Sequence, residues 1–149
     1  DNVPSNASFI GSSCASQNAG TTICVGVGQA LIAPGDLTST SNTPFLAQTR
    51  DGGSSWSVVN VNGVPTTGYF YHVSCSQNDD QVMCATVGQD YSNTSPLLAE
   101  THTSGQDWNV ISLPETVRNG YLNDVSCLGK RCVAVGASFG FISLLLFKL

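Results

Sequence analysis

One pattern occurs three times in this chain: a cysteine, a short gap, a second cysteine, and a glycine four residues after that. The copies are Cys14…Cys24-Val25-Gly26-Val27-Gly28, Cys75…Cys84-Ala85-Thr86-Val87-Gly88 and Cys127…Cys132-Val133-Ala134-Val135-Gly136. Each is followed by an apolar run, Pro44–Thr49, then Pro96–Thr101, then Ser143–Lys148. The first cysteines are 61 and then 52 residues apart, and the tryptophans that follow the first two runs, Trp56 and Trp108, are 52 apart. Repeats of this length built from short strands restrict the chain to tandem sheet units. They exclude an ordinary single-core domain.

The runs between turns are rich in Val, Leu and aromatic residues, with Gly, Asn, Ser and Pro between them, which reads as strands. No stretch keeps a helical period. The first strand of a unit is His72–Cys75 or Asn123–Cys127, the second Val82–Gly88 or Cys132–Gly136, and the third Pro96–Thr101. The fourth begins at Trp56 (Trp-Ser-Val-Val-Asn-Val) or Trp108. Four short strands per unit form an antiparallel meander, the sheet of a propeller blade. The expected architecture is all-β: one propeller-like domain over 1–149, with units at roughly 9–61, 69–113 and 121–149.

In a meander, alternate loops emerge on the same side. The 15-residue connection Gln29–Thr43 and its counterpart Gln89–Ser95 therefore share a face with the links Asn62–Tyr69 and Pro114–Tyr121. Variable loops on one face of a repeat fold form its usual binding surface. The alternative is a tolerated insertion at 29–43. The candidate contacts on this face are Tyr69, Tyr71, Asp90, Tyr91, Arg118 and Tyr121. Tyrosine suits both sugar stacking and protein contacts because it has a flat apolar body and a polar tip.

Only 10% of residues are charged and the net charge is −5, with five Lys and Arg in all. That excludes a phosphate-backbone footprint, and with it nucleic acid as a partner. The six cysteines fall into one pair per repeat, without CxxC spacing and with His72 and His102 outside the gaps. This is not a zinc pattern. Three hairpin-stapling disulfides are expected, Cys14–Cys24, Cys75–Cys84 and Cys127–Cys132, each worth roughly 2–3 kcal/mol in the chain-entropy picture. The alternative is six buried thiols in a reducing compartment. Disulfides imply a secreted or periplasmic protein. The opening Asp1-Asn2-Val3-Pro4 is expected of a processed chain. The apolar tail Phe139–Leu149, 11 residues long, is too short for a membrane span and reads as a buried strand. No cofactor and no metal are expected.

Thr49-Arg50-Asp51-Gly52-Gly53-Ser54-Ser55-Trp56 has a mechanical logic. A carboxylate just past a strand accepts backbone N–H groups and closes a tight turn, while glycine admits positive φ. The segment resembles the Asp-box, or BNR repeat, Ser/Thr-x-Asp-x-Gly-x-Ser/Thr-Trp. That repeat occurs in sialidases, in related glycosidases, and in non-enzymatic propellers such as the photosystem II assembly factor type. The copy Thr101–Trp108 is degenerate, with Thr103 in place of the aspartate, and is expected to be less firmly tied. The resemblance implies a structural role for Asp51, Gly53, Trp56 and Trp108, on the face opposite a sialidase active site. It does not carry catalysis, because the arginine triad and Tyr–Glu pair of sialidases have no counterpart among Arg50, Arg118, Arg131, Glu100 and Glu115. A glycosidase using two carboxylates would draw on Asp36, Asp90, Glu115 and Asp124.

Propellers close with at least about four blades. Three units therefore need neighbours. A homodimer forming a six-bladed ring provides them, as does a longer propeller of which this chain is a part. Three functions follow: a non-enzymatic binding propeller for a glycan or protein, a scaffold without a small-molecule site, and an Asp-box glycoside hydrolase.

Overall fold

The computed structural model describes residues 3–17, 20–31, 42–114, 117–139 and 147–148. These contain no α-helix, and no helix is long and apolar enough to cross a membrane. The first sheet is a meander of β1 (Ala7–Ser16), β2 (Thr22–Leu31), β3 (Asn42–Thr49) and β4 (Ser57–Val58). The second is built from β6 (Gly68–Asn78), β7 (Gln81–Asp90), β8 (Ser95–Thr101) and β9 (Trp108–Val110). The third has β10 (Gly120–Leu128), β11 (Arg131–Ser138) and β12 (Phe147–Lys148). All three are propeller blades. The rest of the tail and the central part of the 29–43 connection lie outside the described residues. The strands β2 and β3 extend inward to Leu31 and Asn42, so that connection starts from longer strands than expected.

One expectation is corrected. The segment after Trp56 is not a single fourth strand. Ser57–Val58 pairs with β3, whereas Val61–Asn62, here β5, runs parallel to β9 on the outer edge of the second sheet. The chain leaves the first blade and ties to the second before turning inward. Val61 is buried there, and the Asn62 amide donates to Asn109 Oδ1 at 3.2 Å.

The sheets stack face to face. Ile23, Val25, Val27 and Leu46 of the first blade meet Phe70, Val73, Val82, Leu97, Ala99 and Trp108 of the second. Met83, Ala85, Val87 and Leu98 on the opposite side of the second blade meet Leu122, Val125, Cys132 and Ala134 of the third. Strand β7 is thus covered on both faces, which explains its near-continuous apolar run. Each large side chain in these layers contributes roughly 1.5–3 kcal/mol relative to exposure.

The repeated glycine has a specific cause. In each blade the inner strand carries a β-bulge, with Ile10, Tyr71 and Asn123 as the extra residues. The bulge drives the preceding carbonyl over the partner strand. A Cβ on Gly28, Gly88 or Gly136 would lie 1.9, 1.8 or 1.9 Å from the carbonyl oxygen of Ser8, Tyr69 or Tyr121 respectively. The bulge also lets Phe70 and Val73 both face the first blade despite an odd spacing.

Disulfides join Cys14–Cys24, Cys75–Cys84 and Cys127–Cys132, each across directly opposed strand residues.

Candidate functional site

The disulfides and the Asp51 turn lie at one end of the sheets, since Cys24 is opposite Thr49 in the β2–β3 ladder. At this end the turn is closed as its sequence implies. Asp51 accepts from the Thr49 hydroxyl at 2.6 Å, from the Ser55 hydroxyl at 2.5 Å and from the Ser55 backbone N–H at 2.9 Å. These donors, Ser55 first, hold its carboxyl well below the usual carboxylate range. In the second copy Thr103 takes over one of these jobs, accepting the Asp107 N–H at 2.9 Å. Trp108 is fully buried, whereas Trp56 is only half-buried beside Phe9.

The opposite end carries an aromatic patch. The sequence places Tyr69 and Tyr121 two residues before an equivalent inner-strand position, and Tyr91 and Phe139 three residues after Gly88 and Gly136. Strand pairing turns each of these into a neighbouring couple, Tyr69–Tyr91 at 5.2 Å and Tyr121–Phe139 at 5.7 Å between ring centroids. Tyr71, the bulged residue, links the couples. It stacks on Tyr69 at 6.0 Å and meets Tyr121 edge-on at 6.4 Å. In the first blade the corresponding positions are Ser8 and Leu31, so the patch belongs to the second and third blades.

Polar groups tie the rings together. The Tyr71 hydroxyl donates to Gln89 Oε1 at 3.3 Å and shares a hydrogen bond with the Tyr91 hydroxyl at 3.1 Å. The Asn42 amide donates to the Tyr69 hydroxyl at 2.5 Å. Burial, reinforced by Tyr91, pushes the Tyr71 phenol well above its ordinary value, and burial raises Tyr69 too. Both are therefore neutral donors over the physiological range. Tyr91 remains 44% exposed and Phe139 53%, which leaves two rings of the cluster open to a ligand.

The six residues expected at a site divide into two groups. Tyr69, Tyr71, Tyr91 and Tyr121 come together in the patch. Asp90 and Arg118 instead line a neighbouring cleft of about 650 Å³, with Asn93, Pro96 and Leu113. Asp90 is largely occupied by its own turn, accepting from the Ser92 N–H at 2.8 Å and the Ser92 hydroxyl at 2.6 Å. Asn42, Gln89 and Phe139 were not expected at the site. Phe139 was legible as the match to Tyr91 in the third repeat, whereas Asn42 and Gln89 carry no motif.

Among the acids considered for a glycosidase, Asp36 and Glu115 lie outside the described residues. Asp124 contacts His72 Nδ1 at 2.9 Å, without hydrogen-bond alignment of the ring N–H, and also accepts the Val125 N–H. Among the described residues, no group of three or more His, Cys, Asp or Glu could hold a metal ion.

No known family profile matches the chain, and no curated protein matches it in sequence. Among solved structures it is similar to YCF48 from Cyanidioschyzon merolae, with a TM-score of 0.58 and 17% identity over 97% of this chain and 41% of that one. That protein is a β-propeller. The chain therefore has the propeller fold and spans about two-fifths of the length of this neighbour.

Proposed function

We propose that the chain is an extracytoplasmic, non-enzymatic binding propeller whose loop end takes a glycan on the Tyr69–Tyr71–Tyr91–Tyr121 patch. The single observation behind this reading is the patch itself. Contiguous aromatic faces stack on the apolar C–H face of a sugar ring, and fixed phenol hydroxyls hydrogen-bond its hydroxyls. The aromatic cluster spans two blades, wide enough for more than one ring face. The neighbouring cleft with Asp90 and Arg118 offers polar contacts to an extended ligand. The three disulfides favour an oxidising location. Two copies pair so that the outer blades cover one another.

A glycan-array screen followed by titration calorimetry tests the ligand. Binding that falls at least about 10-fold in Tyr91→Ala supports the reading, because truncating an exposed aromatic anchor commonly costs 1–2 kcal/mol or more. An array with no bound glycan overturns it and leaves a scaffold.

A further inference from the structure

The two joints between blades are built alike. Ser13 and Ser74 occupy the same place in their repeats, one residue before the first cysteine. The Cys75 N–H donates to Ser13 Oγ at 2.9 Å, and the Cys127 N–H donates to Ser74 Oγ at 3.0 Å. Each joint is thus a serine on one blade latching a cysteine amide on the next. Around it, Val25 and Ala85 on the giving face share an apolar layer with Phe70 and Leu122 on the receiving face. Ala15 packs against the first of these layers, and the Ser76 hydroxyl donates to the Gly129 carbonyl at 2.9 Å.

The outer faces of the three-blade unit present the two halves of a third such joint. On the third blade, Ser126 is exposed in the latch position. Leu128, in the place of Ala15 and Ser76, is 85% exposed, and Val133, in the place of Val25 and Ala85, is 44% exposed. On the first blade, Phe9 stands where Phe70 and Leu122 are fully buried, yet is itself 47% exposed. It lines an apolar groove of about 430 Å³ with Trp56 and Gly26. Cys14 is opposed to Cys24 as Cys75 is to Cys84, with Cα atoms 4.0 Å apart, the short spacing of a pair whose N–H groups point away from each other. Its amide therefore faces outward from the edge of β1. The polar exceptions fall on both halves. Arg131 replaces Ile23 and Met83 on the giving face, while Ser12 and Thr22 replace Val73 and Val82 on the receiving face, so donor is set against acceptors.

We infer that the occupant of each outer face is a second copy of this chain. Ser126 of one copy latches Cys14 of the other, Val133 faces the Phe9–Trp56 groove, and Leu128, in the place of Ser76, packs beside it at the disulfide end of β1. Two such head-to-tail joints close the pair into a ring of six blades, within the range propellers adopt. This rests on the pairing proposed above and is independent of the ligand.

Sedimentation equilibrium of the chain at micromolar concentration tests it, with twice 15.5 kDa expected. Because the joint uses two different faces, Leu128→Glu and Phe9→Ser should each weaken pairing by about 30-fold or more. Leu128 is exposed in the single chain, so its replacement leaves folding intact, as intact disulfides and an unchanged melt of the monomer would verify. A monomeric wild type overturns the pairing itself. A dimer insensitive to either variant overturns this joint and leaves pairing by another surface. Assemblies larger than two copies overturn ring closure.

Discussion

The carbonyl oxygen of Tyr69 lies over Gly88 so closely that an added Cβ would sit 1.8 Å from it. The neighbour is backbone, fixed by the bulge at Tyr71, and cannot move aside without breaking the β6–β7 ladder. Gly88→Ala should therefore destabilise the chain by at least about 3 kcal/mol, read from urea unfolding. Gly52→Ala, at φ 71° with open space around its Cβ position, should cost only about 1–2 kcal/mol. Equal losses at the two sites would refute the bulge as the reason for the repeated glycine.

That glycine shows how much of the fold the sequence made visible. The Cys-to-Gly spacing of the second strand is the same in all three repeats, so the blade count and the hairpin pairing could be read directly. The bulge could not, because a residue without a partner leaves no trace in a single strand's alternation. The break after Trp56 was hidden for a related reason. Val58 and Val61 look alike, and only the crossing to Trp108 separates them. At the site, four tyrosines were legible by type, whereas the turn that Asp90 closes through Ser92 was not. An aspartate followed two residues later by serine caps its own turn as readily as it meets a ligand.

The Asp51 carboxylate ties its turn through three donors, and its pKa is lowered accordingly. A depressed native pKa means that the unfolded chain takes up the proton first as pH falls. The stabilisation is therefore complete above about pH 4, the unfolded value, and is lost progressively below it. Asp51→Asn should be less stable than the wild type at neutral pH, and the gap should narrow as acid is added. Thermal melts from pH 7 to pH 2 check this. A gap that stays constant would mean that the charge plays no part.

Ser104 has φ 56°, unusual for a residue with a side chain, and is 4% exposed. Its hydroxyl accepts the Val82 N–H at 2.9 Å and the Gln17 amide at 2.5 Å, and its carbonyl accepts from Arg50 at 2.5 Å. Two residues of the first blade are thereby tied to the second. Ser104→Ala leaves the buried Val82 N–H without its acceptor and should cost about 1–3 kcal/mol. Ser104→Gly also loses the acceptor but relieves the left-handed backbone, so it should be the milder change by about 1 kcal/mol. Urea midpoints that place glycine below alanine would contradict this balance.

Tyr71 gives the molecule an alkaline limit. Its phenol is held neutral by burial and by Tyr91, so its native pKa lies above the unfolded value of about 10. Between those two values the native chain keeps a proton that the unfolded chain releases. Stability is therefore fully present below about pH 10 and declines as pH rises through this window. Tyr69 acts in the same direction, driven mainly by its own burial. Tyr71→Phe removes the titrating group along with the hydrogen bonds to Gln89 and Tyr91. At pH 7 it should cost about 1 kcal/mol. Above pH 10 its stability should fall less steeply than that of the wild type, so the two curves converge. Unfolding followed by tryptophan fluorescence across this range, with tyrosinate absorbance recorded in parallel, measures both effects. Parallel curves would show that Tyr71 ionises as freely in the folded chain as in the unfolded one.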